Sequence, residues 1–164
     1  MGSLVVLVFL VLFIAQLVLE TGLLLVNLNH VARSSGVPAV LAGHIDDATA
    51  QRSRAYTLAN GRFGLVEGMA GAALTLVVLF SGVLPWLHRA LSAQGLSGAH
   101  RFVAYLAVLS LASSVVALPF RLYRTFVLET RFGFNRTRLR TWVADRAKSF
   151  AVEAVLGIPL LYAV

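Results

Sequence analysis

Long apolar runs separated by polar segments make up this chain, with little alternation of apolar and polar positions. Residues 4–28, 63–86 and 102–120 are close to or longer than the roughly 20 apolar residues that a helix needs to cross a bilayer. A fourth run, residues 150–164, is too short to cross as it stands. The pattern predicts an all-α, multi-pass membrane helical bundle with three full transmembrane helices and a truncated fourth.

Polar segments join these runs within a single membrane domain, residues 1–164. Residues 29–62 and 121–149 are two long polar segments that we predict to be partly helical. Residues 87–101 form a short loop between the second and third runs. With three crossings, the two long segments lie on one side of the membrane and the short loop lies on the other.

Residues that cap or break helices indicate boundaries inside the first polar segment. Pro38 and Gly43 interrupt it, so no helix is expected to run through them. Asp46-Asp47 supplies a candidate N-cap for a helix that runs towards Asn60, because a carboxylate at this position accepts a bond from a free backbone N–H.

Composition supports a membrane protein and excludes several other classes. Hydrophobic residues make up 59% of the chain, charged residues only 13%, and the mean hydropathy is +0.83. Soluble domains carry about a quarter charged residues. The chain has no cysteine, which excludes disulfides and thiolate metal sites. All the basic residues except Lys148 are arginine, a bias typical of a GC-rich genome rather than of a recognition task.

The distribution of basic residues predicts the orientation. The two long polar segments together carry twelve basic residues, whereas the short loop carries only Arg89 and Arg101. Because basic residues are enriched on the cytoplasmic side, we predict both long segments in the cytoplasm and the N-terminus outside. The membrane is expected to be a bacterial inner membrane. The arginines adjoin the bilayer and its anionic headgroups, so the lipid bilayer is the expected partner and nucleic acid is not.

Three polar residues lie within the first apolar run. Gln16, Glu20 and Asn27 fall within about 40° of one another on a helix. Ionisable residues in a membrane span usually face a protein interior or a hydrated cavity. Two interpretations stay open for this face: it lines a hydrated chamber inside the membrane, or it forms hydrogen bonds that hold helices together.

Glycines cluster at the start of the second run. Gly64 and Gly68 have the four-residue spacing that lets two membrane helices approach closely. The motif is weak by itself because glycine is common in membrane helices. We predict that this pair packs against another helix of the same chain.

The most specific pattern follows the third run. The third helix is predicted to continue past Pro119, to break at Gly133 and to restart near Thr137. The chain reads PFRLYRTFVLETRFGFNRTRLRTW from residue 119 to residue 142. Ten positions in it form an ordered set of aromatic, charged and turn-forming residues: Pro119, Tyr123, Thr125, Phe126, Glu129, Arg131, Gly133, Phe134, Asn135 and Thr137.

This set resembles the signature of the N-terminal membrane region of the type I CAAX prenyl proteases, which are membrane-embedded zinc metalloproteases. Tyr56 and the run Arg62-Phe63-Gly64-Leu65 extend the resemblance over most of the chain. The resemblance implies that the ten signature residues belong to the wall of a membrane chamber beside the protease domain, with structural or substrate-lining roles. None of them is expected to be a catalytic residue.

The zinc motif of that family is missing from these 164 residues. The chain has four histidines, His30, His44, His88 and His100. The residues that follow them are Val, Ile, Arg and Arg, so none of the four begins the H-E-x-x-H motif that holds zinc on one helix face. We therefore predict no catalytic residue, no metal ligand and no cofactor in this chain, and zinc only in a catalytic domain elsewhere.

Two functional interpretations follow. In the first, the chain is the N-terminal transmembrane portion of a CAAX-prenyl-protease-like zinc metalloendopeptidase, cut before its catalytic domain and inactive alone. That catalytic domain, missing or supplied in trans, is then its partner, and a lipidated or membrane-protein substrate is expected. In the second, the chain is a small multi-pass transporter or membrane adaptor that uses Glu20 as a proton-coupled carboxylate. The signature favours the first.

Overall fold

The computed structural model describes residues 2–34, 46–96 and 98–163, which are helical apart from short turns. Five α-helices occur in these ranges. Pro38, Gly43 and His44 lie outside the described residues. The chain divides into two compact units, Met1–Leu74 and Thr75–Val164.

The helices, in chain order, are α1 (Gly2–Arg33), α2 (Asp47–Phe80), α3 (Val83–Ala93), α4 (Gly98–Tyr123) and α5 (Leu139–Ala163). A π-helical turn, Arg124–Glu129, continues α4 without a break.

Helix α2 begins where the sequence predicts and continues much further. Its N-cap is Asp46, whose backbone carbonyl accepts a hydrogen bond of 3.1 Å from the N–H of Ala50. Hydrogen bonding from Thr49 lowers the pKa of the Asp46 carboxyl. A lowered folded-state pKa means that this cap contributes above the unfolded pKa and is lost as the pH falls. The predicted helix to Asn60 and the predicted span from Phe63 are one uninterrupted helix.

The predicted span 63–86 is divided between two helices. Helix α2 ends at Phe80, and Gly82 has a φ of +81°, which L-residues with side chains rarely adopt. Helix α3 then begins, with Pro85 in its first turn, where a proline removes no helical hydrogen bond. Much of the predicted loop 87–101 is therefore helical.

Helix α3 packs against α4, and α4 packs against α5. Leu87 of α3 is one of three side chains that are buried in the described residues; the other two are Leu28 and Leu128. Arg101 fixes the turn between α3 and α4, because its guanidinium donates to the carbonyl of Leu96 (3.0 Å) and to the hydroxyl of Ser92 (3.1 Å).

Apolar side chains are exposed along most of the helical surface. In α1, Val18 and Leu23 are 63% and 69% exposed. By length and composition, three helices of the described residues can cross a membrane: Gly2–Arg33, Asp47–Phe80 and Gly98–Glu129. A surface of this kind requires lipid or further protein around it. The predicted all-α membrane architecture is confirmed.

Candidate functional site at the turn between α4 and α5

The ten signature residues lie in one continuous stretch at the end of α4. Pro119 is inside α4 and Tyr123 is its last residue, while Thr125, Phe126 and Glu129 belong to the π-helical turn. The other five follow in the connection to α5: Arg131, Gly133, Phe134, Asn135 and Thr137.

The helix does not stop at Pro119. It passes through this residue and widens into the π-helical turn five residues later. Proline has no N–H to donate to the preceding turn, which weakens the helix there. A π-helical turn is rare and frequently occurs at functional sites. This stretch is therefore a specialised piece of backbone.

Glycine 133 ends the helix as predicted. Its φ is +78°, and its N–H donates to the carbonyl of Thr130 at 3.1 Å. The carbonyl of Glu129 accepts from the N–H groups of Phe134 (2.9 Å) and Asn135 (3.3 Å). A left-handed glycine with backbone bonds folded back onto the last turn is a typical helix C-cap. The predicted break is confirmed, and α5 restarts at Leu139, two residues after the expected Thr137.

Polar side chains continue this cap into the connection. The hydroxyl of Thr130 donates to the carbonyl of Thr125 (3.3 Å), and the Asn135 amide donates to that hydroxyl (3.1 Å). The Asn135 side-chain oxygen accepts from the N–H of Thr137 at 2.7 Å. The connected bonds hold the exit of α4 and the approach to α5 in one conformation.

Aromatic packing joins the turn to α5. The rings of Phe126 and Trp142 lie edge to face, with centroids 6.2 Å apart and an interplanar angle of 66°. Such pairs contribute about 0.5–1.5 kcal/mol beyond the area they bury. Leu128, between signature positions, is buried at 7% exposure. Thr130, Leu128 and Trp142 are not among the predicted site residues, although all three belong to the stretch 119–142 that carries the signature.

The described residues of this turn include no cluster of metal-ligating side chains. In the parts of the chain that the structure describes, no three His, Cys, Asp or Glu side chains lie close enough together to hold a metal ion. The residues present do not form a zinc site, so no step of metal-dependent chemistry is assigned to them. What the turn can do is fix the direction of α5 relative to α4.

The polar face of α1 belongs to the first unit of the chain, Met1–Leu74. Gln16 donates a hydrogen bond of 2.9 Å from its amide nitrogen to the Glu20 carboxylate, and the side chains of Gln16, Glu20 and Asn27 are exposed. The packed side of α1 runs through Leu17 and Leu28 instead. Within the described residues, the hydrogen bond joins two positions of one helix rather than two helices.

Gly61 of α2 lies directly against the side chain of Leu28 of α1. A Cβ atom added at Gly61 would overlap the side chain of Leu28, whereas one added at Gly64 or Gly68 meets no atom within 4 Å. Gly61 therefore makes room for the buried Leu28. The idea that Gly64 and Gly68 pack against another helix stays a prediction.

A sequence model of one family, described as the CAAX prenyl protease N-terminal region with five membrane helices, matches residues 27–164. This stretch contains the whole turn between α4 and α5. The chain belongs to the CAAX prenyl protease family. The membership confirms the resemblance inferred from the signature.

Individual relatives agree with the CAAX prenyl protease assignment. CAAX prenyl protease 1 of Saccharomyces cerevisiae is 33% identical over 136 residues, which is 77% of this chain and 30% of the relative. The human homologue of CAAX prenyl protease 1 is 33% identical over 133 residues, or 76% of this chain and 28% of the relative. This chain therefore spans about a third or less of these relatives, in their N-terminal part.

The fold is shared as well. The crystal structure of S. mikatae Ste24p matches with a TM-score of 0.81 and 31% identity, covering 92% of this chain and 36% of that one. The chain is thus an integral membrane protein with the architecture of the N-terminal part of a CAAX prenyl protease.

Proposed function

We propose that this chain forms part of the wall of an intramembrane chamber in a CAAX-prenyl-protease-like zinc metalloendopeptidase, and that it holds the substrate-access path in shape. The turn between α4 and α5 carries the proposal. Its signature residues lie in the matched stretch 27–164, and several of them make connected backbone, side-chain and aromatic contacts. We propose that these contacts stabilise the turn and take no part in catalysis.

Peptide hydrolysis is proposed to take place in a catalytic metalloprotease domain, in the same polypeptide or in trans. Zinc in such a domain would activate water for attack on the peptide bond. The relatives that bear the name CAAX prenyl protease 1 extend well beyond the matched third, which supports this division of tasks. The proposed substrate is a lipidated or membrane-associated protein, which would reach the chamber through the bilayer.

The polar face of Gln16, Glu20 and Asn27 is proposed to line the hydrated interior. Its three side chains are exposed, and they are not on the side of α1 that is packed. Polar groups in a span are costly against lipid and are favoured against water. This face therefore suits the inner wall of a chamber.

The proposed orientation places the N-terminus outside and the basic turn in the cytoplasm. The twelve basic residues of the two long polar segments, against two in the short loop, support it. A bacterial inner membrane is part of the same proposal, although the named relatives come from eukaryotes and do not support it.

A transporter that uses Glu20 is not favoured. Membership of the CAAX prenyl protease family accounts for residues 27–164, including the turn between α4 and α5, which a minimal transporter does not require. Glu20 already accepts a hydrogen bond from Gln16.

A chimaera with the yeast relative tests the proposal. The N-terminal third of the S. cerevisiae CAAX prenyl protease 1 is replaced by this chain, and cleavage of a prenylated peptide is measured in membranes. We expect the chimaera to cleave the peptide, because this chain supplies an equivalent wall. An unrelated three-span segment of equal length is the control and should give no cleavage. A correctly inserted, zinc-loaded chimaera without activity contradicts the proposal.

Cysteine labelling tests the chamber lining directly, since the natural chain contains no cysteine. In native membranes, we expect Gln16→Cys and Asn27→Cys to react with a water-soluble maleimide at least about tenfold faster than Val18→Cys. The reason is that thiolates form readily in water and poorly in an apolar medium. Val18 is the matched control because it is 63% exposed on the same helix but belongs to the apolar surface.

The same reagent applied to intact cells reports the orientation. Gln94→Cys, between α3 and α4, should be labelled from outside, and Ala147→Cys of α5 only after lysis. Equal labelling rates at positions 16, 18 and 27 would remove the chamber-lining assignment, and the reverse labelling of positions 94 and 147 would remove the orientation.

A further inference from the structure

A small polar cavity lies between α4 and α5, just before the signature turn. Its volume is about 170 Å³, roughly the liquid volume of five or six water molecules. Six residues line it: Ser114, Arg121, Arg146, Ser149, Phe150 and Glu153. Two cations, one carboxylate and two hydroxyl groups thus surround a space the size of a lipid headgroup.

The two arginines of this cavity are the groups that a ligand would contact. Among the described residues, neither Arg121 nor Arg146 forms an ion pair with Glu153 or a side-chain hydrogen bond with another group. By contrast, Arg101 at the start of α4 donates to two groups of its own chain. The two guanidinium groups are therefore available to a ligand. Guanidinium and hydroxyl donors together form a typical phosphate-binding set.

The charge balance indicates which phosphate fits. Arg121 and Arg146 contribute two positive charges and Glu153 one negative charge, so the cavity carries one net positive charge. A phosphodiester, with one negative charge, neutralises the cavity. A free phosphate or a phosphate monoester, which carries up to two negative charges, would leave the cavity with one excess negative charge.

The position of the cavity points to the bilayer. Arg121 directly follows the predicted span 102–120, which places its guanidinium at headgroup level. Helices α4 and α5 run in opposite directions, since Phe126 contacts Trp142 at one end and His100 contacts Tyr162 at the other. Arg121 and Arg146 therefore lie at the end nearer the connection. Glu153 lies about 10 Å further along, at 1.5 Å per residue.

Exposed leucines continue the cavity towards the middle of the membrane. Leu111, one turn before Ser114, is 54% exposed, and Leu156 and Leu160, one and two turns after Glu153, are 62% and 67% exposed. Acyl chains can lie along these side chains while the phosphate stays between the arginines. We propose that this cavity binds the phosphodiester of an anionic lipid with an uncharged headgroup, such as phosphatidylglycerol.

A zwitterionic headgroup fits less well. In a phosphatidylcholine molecule, the ammonium lies on the side of the phosphate away from the acyl chains. It would therefore be placed at the arginine end of the cavity and not near Glu153. Repulsion from Arg121 and Arg146 selects against it.

Native mass spectrometry of the full chain with an equimolar mixture of phosphatidylglycerol and phosphatidylcholine, with identical acyl chains, tests this site. We expect the wild type to retain phosphatidylglycerol preferentially. The double variant Arg121→Gln/Arg146→Gln should lose at least about tenfold in phosphatidylglycerol affinity, because each charge-assisted contact is strong. The matched control Arg138→Gln/Arg140→Gln removes the same charge from exposed positions outside the cavity and should change the affinity less than about twofold.

Glu153→Gln provides a second test that does not depend on losing binding. It raises the net charge of the cavity, so the preference should shift towards dianionic phosphatidate. Inorganic phosphate, added as a competitor, should not displace the lipid. Equal losses in the two arginine pairs would show general attraction of the basic segment and overturn the proposal. Absence of a phosphatidylglycerol preference in the wild type, or displacement by inorganic phosphate, would overturn it as well.

Discussion

Replacement of Gly61 by valine is expected to lower the stability of the folded chain by about 1–3 kcal/mol, the usual cost of forcing extra methyl groups into a packed position. The Cβ atom alone overlaps the Leu28 side chain. Leu28 is 8% exposed, so it has little room to move away. The measurement is thermal unfolding in detergent, followed by far-UV circular dichroism.

Gly64→Val is the matched control for this prediction. It lies one turn further along α2, and an added Cβ there meets nothing within 4 Å. It should therefore leave the stability unchanged or raise it slightly, because valine has a higher helix propensity than glycine. Leu28→Ala in the Gly61→Val background should restore part of the lost stability, because it removes the group that clashes. Equal effects of valine at positions 61 and 64 would show that this contact does not exist.

Replacement of Gly133 by valine should have a comparable effect, for a backbone reason. With a φ of +78°, this position costs a residue with a Cβ roughly 1–2 kcal/mol, and a β-branched residue more. The expected result is the loss of the helix cap, in which Gly133, Phe134 and Asn135 donate backbone bonds to the last turn. Thermal unfolding of this chain measures the cost, and peptide cleavage by the yeast chimaera measures its functional consequence.

The substitution Gly133→Asn distinguishes the cost of backbone strain at position 133 from the cost of adding a side chain there. Asn tolerates a positive φ better than other residues with side chains, so Gly133→Asn should lose less than half as much stability as Gly133→Val. Gly157→Val, within α5 and without a positive φ, is the matched control, and an added Cβ there meets nothing within 4 Å. If all three substitutions cost the same, the conformation of Gly133 is not the cause.

The membrane class and the end of α4 could be predicted because each depends on a local signal. The length of an apolar run can be compared directly with the thickness of the hydrocarbon core that a helix must cross. Gly133 stands among polar and aromatic residues, where a left-handed cap is the obvious use of a glycine. The N-cap at Asp46 was predictable for the same kind of reason, since a carboxylate at a helix start has a clear backbone partner.

The break between α2 and α3 could not be predicted from hydropathy. The apolar run continues across Gly82, and membrane helices often contain glycine, so nothing in the composition separates a break from a tolerated residue. The same ambiguity affects the glycines of α2. Four-residue spacing places Gly64 and Gly68 on one face, but the sequence gives no sign that Leu28 lies against Gly61.

The binding residues of the cavity were hidden for a different reason. Arg121 and Arg146 are separated along the chain by 25 positions, and each is one of many arginines in the basic segment. Only the antiparallel packing of α4 and α5 brings them to one space.

The π-helical turn Arg124–Glu129 has a mechanical consequence. A π-helical turn contains roughly one residue more than an α-helical turn, so this stretch holds one surplus residue. If the turn tightened into α-helix, we expect the surplus residue to pass into the connection before α5, and that strand of chain could extend by about 3 Å without unfolding either helix. Helices α4 and α5 could then move slightly relative to each other without unfolding, provided that the hydrogen bonds of Thr130 and Asn135, which hold the turn in its present conformation, were broken.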